Sequence, residues 1–195
     1  MPAKIVVCGM YNKVPADAIG ISTVSKVGRW AGLSPFNLGP CELYGGVSAV
    51  NMENAWQFAK VYECHVDRVS LNPTSEYWAW AHAGWSDPKP HRYPMGKGMK
   101  PLYSYWDGKR LDYIAARKAI YAPLYALAVQ RTDSYRELAE LYQKSDNTIV
   151  LRDYDGYDHD ALGMTLTDVI NNQRRKMGHA FVLKALLTND LMFNR

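Results

Sequence analysis

The stretch NMENAWQFAKVY at positions 51–62 contains the clearest predicted helix of the chain. Asn51 is a favourable N-cap residue, and Glu53 falls in the first turn, where a negative charge complements the helix dipole. Apolar residues recur at helical spacing, at Met52, Ala55, Ala59 and Tyr62. These features predict a helix over 51–62. Lys60 lies seven residues after Glu53, so we expect the two side chains to share one helix face.

The segment before this helix is predicted to contain strands and turns. β-Branched residues at 5–7 and at 21–27 indicate two strands. Gly and Pro punctuate 29–40, which is typical of a loop. The pair Gly45-Gly46 predicts the turn of a short hairpin over 42–50.

The segment after the helix alternates irregular and helical stretches. Residues 66–104 carry five of the ten prolines and three tryptophans, with a short helix predicted at 76–82 and a long loop over 86–104. Helices are predicted over 110–129, kinked at Pro123, and over 134–144, opened by a capping box at Ser134 and Glu137. A strand follows at 148–152, then an acidic loop at 153–160, and Thr165 opens a last helix to about residue 187. The predicted fold is α+β, a mostly helical single domain with a small β-sheet.

Composition excludes several classes of protein. The chain has 195 residues, 48% hydrophobic and 22% charged, with a net charge of +4. These values are typical of one globular domain and exclude disorder, collagen and coiled coil. No apolar run reaches the length of roughly 18 residues that a membrane span needs, so no membrane partner is expected. Three widely spaced cysteines and an N-terminus without a signal-peptide pattern favour a cytoplasmic protein.

Aromatic composition leaves two uses open. There are 14 Tyr and 6 Trp against only 4 Phe. Tyr and Trp side chains pack in protein cores while their polar end reaches a hydrogen-bond partner, and they also stack on nucleic-acid bases.

Three groups of residues are candidates for chemistry. The acidic segment 153–160 is open to three interpretations: a hard-cation site, an acid/base carboxylate, or a solvated turn. Glu53 either faces a pocket or complements the helix dipole at the surface. Asp107 either forms a carboxylate beside the Trp106 ring or caps a helix. Each histidine is interpreted as a surface or core residue, since no metal-like spacing occurs among His65, His82, His91, His159 and His179.

The order of these motifs resembles the NADAR family. The resemblance is carried by LSPF at 33–36, Pro40, Glu42-Leu43 and the helix motif at 51–60, then by Trp106-Asp107 with Arg110, 148–158, and Gly178 within 172–187. It covers roughly 29–187 and implies a single NADAR-like domain over 1–195. Residues 1–28 are then an N-terminal extension, and 66–104 a Trp/Pro-rich insertion. Asn54 stands where the family has His, and Asp153 where it usually has Glu.

The resemblance implies an N-glycosidase, a hydrolase that cleaves the bond between ribose and a base or amine. The implied substrate is a nucleotide-like or ADP-ribosylated small molecule or nucleic acid, without a metal or a cofactor. The catalytic residues implied are Glu53, Asp153 and Asp107. The implied substrate-binding residues are Trp106 as a stacking ring, Lys60 and Arg110 as phosphate ligands, and Ser34, Phe36, Asn37 and Asp158.

Two alternatives stay open. The replacements at Asn54 and Asp153 are compatible with a non-catalytic module that binds ADP-ribose or an NAD-derived ligand. The insertion contains three tryptophans, Trp78, Trp80 and Trp85. Together with its basic residues, they are compatible with a nucleic-acid-modifying protein.

Overall fold

A computed structural model describes residues 2–190, which form a mixed α/β domain with helices and small sheets. The strands are β1 (Ile5–Gly9), β2 (Ile19–Ser22), β3 (Cys41–Glu42), β4 (Ser48–Ala49), β5 (Lys60–Val61), β6 (Tyr103–Trp106), β7 (Lys109–Leu111) and β8 (Ile149–Asp153). The α-helices are α1 (Met52–Gln57), α2 (Ser75–Ser86), α3 (Tyr113–Ala116), α4 (Ala122–Val129), α5 (Asp133–Lys144), α6 (Leu166–Asn171) and α7 (His179–Thr188). A π-helical turn at Arg117–Tyr121 joins α3 to α4. No helix within 2–190 has both the length and the apolar character needed to cross a membrane.

A three-stranded parallel sheet in the order β1-β8-β2 anchors the fold. Ile149 pairs with Ile5 on one side and with Ile19 on the other. The middle strand has a continuous apolar run because it is covered on both faces. Both outer strands come from 1–28, so this segment is part of the sheet. The second strand lies at Ile19–Ser22, earlier than the predicted 21–27.

The helix predicted over 51–62 ends early. α1 stops at Gln57, and Lys60 pairs with Ser104 in the antiparallel sheet β5-β6-β7. Lys60 therefore does not share a helix face with Glu53, because sheet pairing overrides the helical spacing. The β3–β4 hairpin is confirmed, with Gly45 and Gly46 at positive φ in its turn.

The prediction that Asp107 stands at the entrance of a helix is wrong. Asp107 and Gly108 form the tight turn of the β6–β7 hairpin, with φ of 45° and 78°. Arg110 lies on β7 rather than on a helix. The N-cap of the next helix is Asp112, whose carboxylate accepts a hydrogen bond from the Ala115 amide at 2.8 Å.

The helix within residues 66–104 packs against the core of the fold. The helix there extends to Ser86, four residues beyond its predicted end at 82, and its Tyr77 and Trp85 are fully buried. Trp80 packs against Phe58, with ring centroids 4.6 Å apart. The aromatic surplus of this segment therefore stabilises the domain interior.

The predicted last helix is two helices. The predicted helix start at Thr165 is confirmed, with Thr165 and Asp168 forming a capping box for α6, but that helix ends at Asn171 and α7 begins at His179. The buried guanidinium of Arg117 explains the interruption, because it donates to main-chain carbonyls between the two helices, among them Asn172 at 2.8 Å and Arg175 at 2.5 Å. The helix predicted at 134–144 starts at Asp133, with Thr132 as its N-cap instead of Ser134.

Candidate active site

A cavity of about 380 Å³ opens beside the carboxyl end of the parallel sheet. Asp153 reaches it from the last position of β8, and Glu53 and Trp56 from α1. The N-terminus of α7 adds Gly178 and His179. The volume lies in the range of small-molecule sites, about 300–1,000 Å³.

Glu53 is one of two buried carboxylates in this cavity, and only 7% of its surface is exposed. The Asn51 side chain caps α1 by accepting from the Asn54 amide at 2.8 Å. The Glu53 amide donates to the Pro35 carbonyl at 3.2 Å, which fixes the first turn against the 34–36 loop. Burial raises the pKa of Glu53 above its ordinary value, and a hydrogen bond from Gln57 and the nearby cations oppose the shift.

A chain of hydrogen bonds connects Glu53 to Lys60. Gln57 Nε2 donates to Glu53 Oε1 at 3.0 Å, and Lys60 Nζ donates to Gln57 Oε1 at 2.6 Å. The Lys60 ammonium also lies 4.8 Å from the Trp56 ring centroid, a cation–π contact. Burial lowers the pKa of Lys60 to about 8, although the Glu53 carboxylate favours the charged form.

Asp153 is the second buried carboxylate, and α7 holds it. Its Oδ2 accepts from the Ala180 amide at 3.1 Å and lies 3.1 Å from His179 Nδ1, while Oδ1 accepts from the Asp155 amide at 3.2 Å. A Cβ on Gly178 would overlap this carboxylate, so the position requires glycine for space. The positive end of the α7 dipole complements the carboxylate.

Aromatic rings and cations form the cavity walls. The rings are those of Phe36, Trp56, Tyr93, Tyr113, Tyr121 and Tyr154, and the cationic side chains are those of Lys26, Lys60, Arg92, Arg117 and Lys176. Arg92 donates to Asp155 Oδ2 at 3.2 Å. Arg117 is occupied by main-chain carbonyls and the Tyr113 hydroxyl, whereas Lys26, Lys60, Arg92 and Lys176 also line the cavity and can face an anionic ligand.

The structure brings five of the predicted site residues together at this cavity: Glu53, Asp153, Lys60, Ser34 and Phe36. Glu53 and Asp153 are both predicted catalytic residues, and they reach the cavity from two different elements, α1 and β8. Lys60 reaches the cavity from β5 and not from the predicted helix face.

The other predicted site residues lie elsewhere. Trp106 packs edge-on against Tyr44, with centroids 5.0 Å apart, and Asp107 lies in the adjoining hairpin turn. Arg110 donates to the Ser70 carbonyl at 2.7 Å and to Asn72 Oδ1 at 2.6 Å. These contacts fasten the hairpin to the 66–72 segment. The predicted stacking and phosphate-binding roles of this motif therefore have no counterpart at the cavity.

Asn37 and Asp158 have structural contacts. The Asn37 side-chain amide donates to the carbonyls of Ser25, Lys26 and Ala31, at 3.3, 3.2 and 2.9 Å, and so closes the loop that presents Ser34 and Phe36. Asp158 Oδ1 accepts from the Ala161 amide at 3.0 Å within its own turn.

The acidic segment does not form a cation site. Its carboxylates diverge, since Asp153 faces α7, Asp155 pairs with Arg92, and Asp160 Oδ2 accepts from Lys184 at 2.7 Å. Within 2–190 no group of three or more His, Cys, Asp or Glu residues is placed to hold a metal ion.

Sequence reasoning did not assign a site role to several residues that line the cavity, among them Gln57, His179, Arg92 and Tyr121. Gln57 carried a usable signal, because it stands four residues after Glu53 and thus one turn along the same helix. His179 and Arg92 carried none, since long-range packing alone places them beside Asp153 and Asp155.

Comparisons of the chain with protein-family models, with curated proteins and with solved structures found no match. The resemblance to the NADAR family thus stays a prediction. The residues that line the cavity can be substituted to test it by experiment.

Proposed function

We propose that the protein is an N-glycosidase that hydrolyses the bond between ribose and a base or amine in a nucleotide-like or ADP-ribosylated substrate. The observation that supports it is the meeting of two buried carboxylates, Glu53 and Asp153, in one cavity with aromatic walls and cationic side chains. The proposal also draws on the resemblance to the NADAR family.

Glu53 is suited to act as the general base. Cleavage of an N-glycosidic bond develops positive charge on the ribose, which a nearby carboxylate stabilises, and water must be activated to attack C1′. Only Oε1 of Glu53 is occupied, by Gln57, and Oε2 accepts no hydrogen bond from any residue between 2 and 190. Both oxygens of Asp153, by contrast, accept main-chain hydrogen bonds. Glu53 therefore has the oxygen available for the water.

The remaining walls suit the other parts of a nucleotide. Trp56 and Tyr121 contact each other, with centroids 5.2 Å apart, and offer an apolar surface for a base. Lys60 and Lys176 line the same cavity, where their positive charges repel each other. Together they provide positive charge for a phosphate.

The nucleic-acid alternative has less support from its tryptophans, which together with basic residues motivate it. Trp85 is 1% exposed, and Trp78 and Trp80 pack against the core, so these rings are not a free stacking surface. The non-catalytic binding module stays as the competing outcome of the test below.

The test is turnover of defined substrates. We expect the protein to release free base or nucleoside, followed by chromatography, from at least one of ADP-ribosylated guanosine, NAD and ADP-ribose. Glu53→Gln should abolish release, whereas Glu63→Gln, at an exposed position, should not. Saturable binding without product from any of the three would overturn the hydrolase and leave the binding module.

A further inference from the structure

The protonation of His179 is constrained on one side by a main-chain carbonyl. Its Nε2 lies 2.8 Å from the Thr23 carbonyl oxygen, and both groups are buried. A carbonyl oxygen only accepts hydrogen bonds, so Nε2 must carry the proton in this contact.

The other ring nitrogen faces Asp153. Nδ1 lies 3.1 Å from Asp153 Oδ2. A neutral imidazole protonated at Nε2 has a lone pair at Nδ1, and an ionised carboxylate has only lone pairs to offer. The contact is attractive only when one further proton lies on Nδ1 or on the carboxyl group. The Asp153–His179 pair therefore holds a proton at the wall of the cavity.

The surroundings of the pair favour this shared proton. Asp153 is 3% exposed and His179 5%, so the pair lies largely shielded from solvent at the cavity wall. The Glu53 carboxylate interacts electrostatically with His179 and favours a proton on the pair, whereas the Arg92 guanidinium near Asp153 opposes it. Tyr125 lies 5.3 Å from the His179 ring, but its hydroxyl donates to the Leu33 carbonyl instead.

From this geometry we infer that the Asp153–His179 pair protonates the departing nitrogen, an inference that rests on the proposed function. The C1′–N bond breaks with its electron pair going to nitrogen, which takes the proton that Asp153 and His179 share and leaves an ionised carboxylate beside a neutral imidazole. Water forms the new bond to C1′ and gives its proton to Glu53, from which the pair is reprotonated. His179 is a positioning residue, because it holds that proton against the Asp153 carboxylate.

The experiment compares leaving groups. The guanine amine of ADP-ribosylated guanosine must be protonated as it leaves, whereas the nicotinamide of NAD departs as a neutral molecule. We expect His179→Asn, which retains an N–H donor toward Asp153, to lower kcat on the first substrate by about 10²- to 10⁴-fold. Its kcat on NAD should stay within a few-fold of the wild type. His82→Asn, at an exposed histidine, is the matched control.

Equal losses on both substrates, or equal retention on both, would overturn the inference. Failure of the wild type to turn over either substrate would mean that the proposed function is wrong, and the catalytic role of the pair with it. NMR tests the shared proton independently of turnover. The ¹⁵N signals of His179 and the ¹³C carboxyl signal of Asp153 should together show one proton on the pair in addition to Nε2–H. An ionised Asp153 beside an unprotonated Nδ1 would contradict the shared proton itself.

Discussion

Gln57 donates from Nε2 to Glu53 Oε1 at 3.0 Å, one turn along α1, and this contact sets the orientation of the buried carboxylate. The same amide accepts from Lys60 through its other atom. One neutral side chain thus separates an acid and a base that both line the cavity, so its removal affects both.

Replacing Gln57 tests this arrangement. Gln57→Leu removes a hydrogen bond that lowers the pKa of Glu53, so that pKa should rise further. Because the general base must be ionised, the acidic limb of the pH–activity profile should move to higher pH. A profile measured for Gln57→Leu beside Gln143→Leu, at an exposed glutamine, checks this. An unchanged acidic limb would contradict the role of Glu53 as base.

Glu53 should also reduce stability as pH rises. Burial raises its folded pKa above the ordinary value of 4.5, so the folded state favours the protonated acid. The contribution of the Glu53 carboxyl group to stability is fully present below pH 4.5 and is lost as pH rises through its folded pKa. Urea unfolding of Glu53→Gln should therefore show a free energy of unfolding that exceeds the wild type's by more at pH 7 than at pH 4. A constant difference across this range would show that burial does not shift the carboxyl group.

Lys60 should impose a basic limb on ligand binding. With a pKa of about 8, lowered by burial, it loses its charge between pH 7 and 9. Binding of ADP-ribose, followed by tryptophan fluorescence, should weaken over this interval. Lys60→Arg should remove that limb, because a guanidinium stays charged. In the control variant Lys26→Arg, at an exposed lysine of the same cavity, the basic limb should remain as in the wild type.

Gly178 and Asp153 should be strongly coupled. Gly178 has a φ of −82°, which alanine adopts freely, so Gly178→Ala is unfavourable only through its overlap with the Asp153 carboxylate. We expect it to lower the free energy of unfolding by about 1–3 kcal/mol. In an Asp153→Ala background the overlap is absent, and the same change should cost close to nothing. Chemical denaturation of the four proteins gives this coupling directly, and additive effects would contradict it.

Trp85 tests the structural role of residues 66–104. It is 1% exposed, and its ring lies 6.4 Å from that of Tyr44. Trp85→Ala should cost about 3–5 kcal/mol of unfolding free energy, as other buried aromatic truncations do. Tyr11→Ala, at a ring that is 89% exposed, should change it little. A small loss for Trp85→Ala would mean that the segment is peripheral.

Predictions from the sequence succeeded where local chemistry decides the structure. The Asn51 cap, the Gly45-Gly46 turn, the helix start at Thr165 and the strand after Thr148 are all present. They failed where distant contacts override local preference. The helix through Lys60 gave way to pairing with β6, and the helix predicted over 110–129 starts only at Tyr113, because its first residues belong to the β6–β7 hairpin.

The sequence by itself determined the candidate carboxylates and the local elements that carry them. Glu53 follows an N-cap and Asp153 follows an apolar strand, and both are visible without coordinates. Only the tertiary structure decided their partners: it set His179 against Asp153 and Thr23, and it separated Trp106 and Arg110 from the cavity. The physical reason is that parallel pairing and helix packing join residues far apart in the chain, and no local preference specifies which distant side chains then meet.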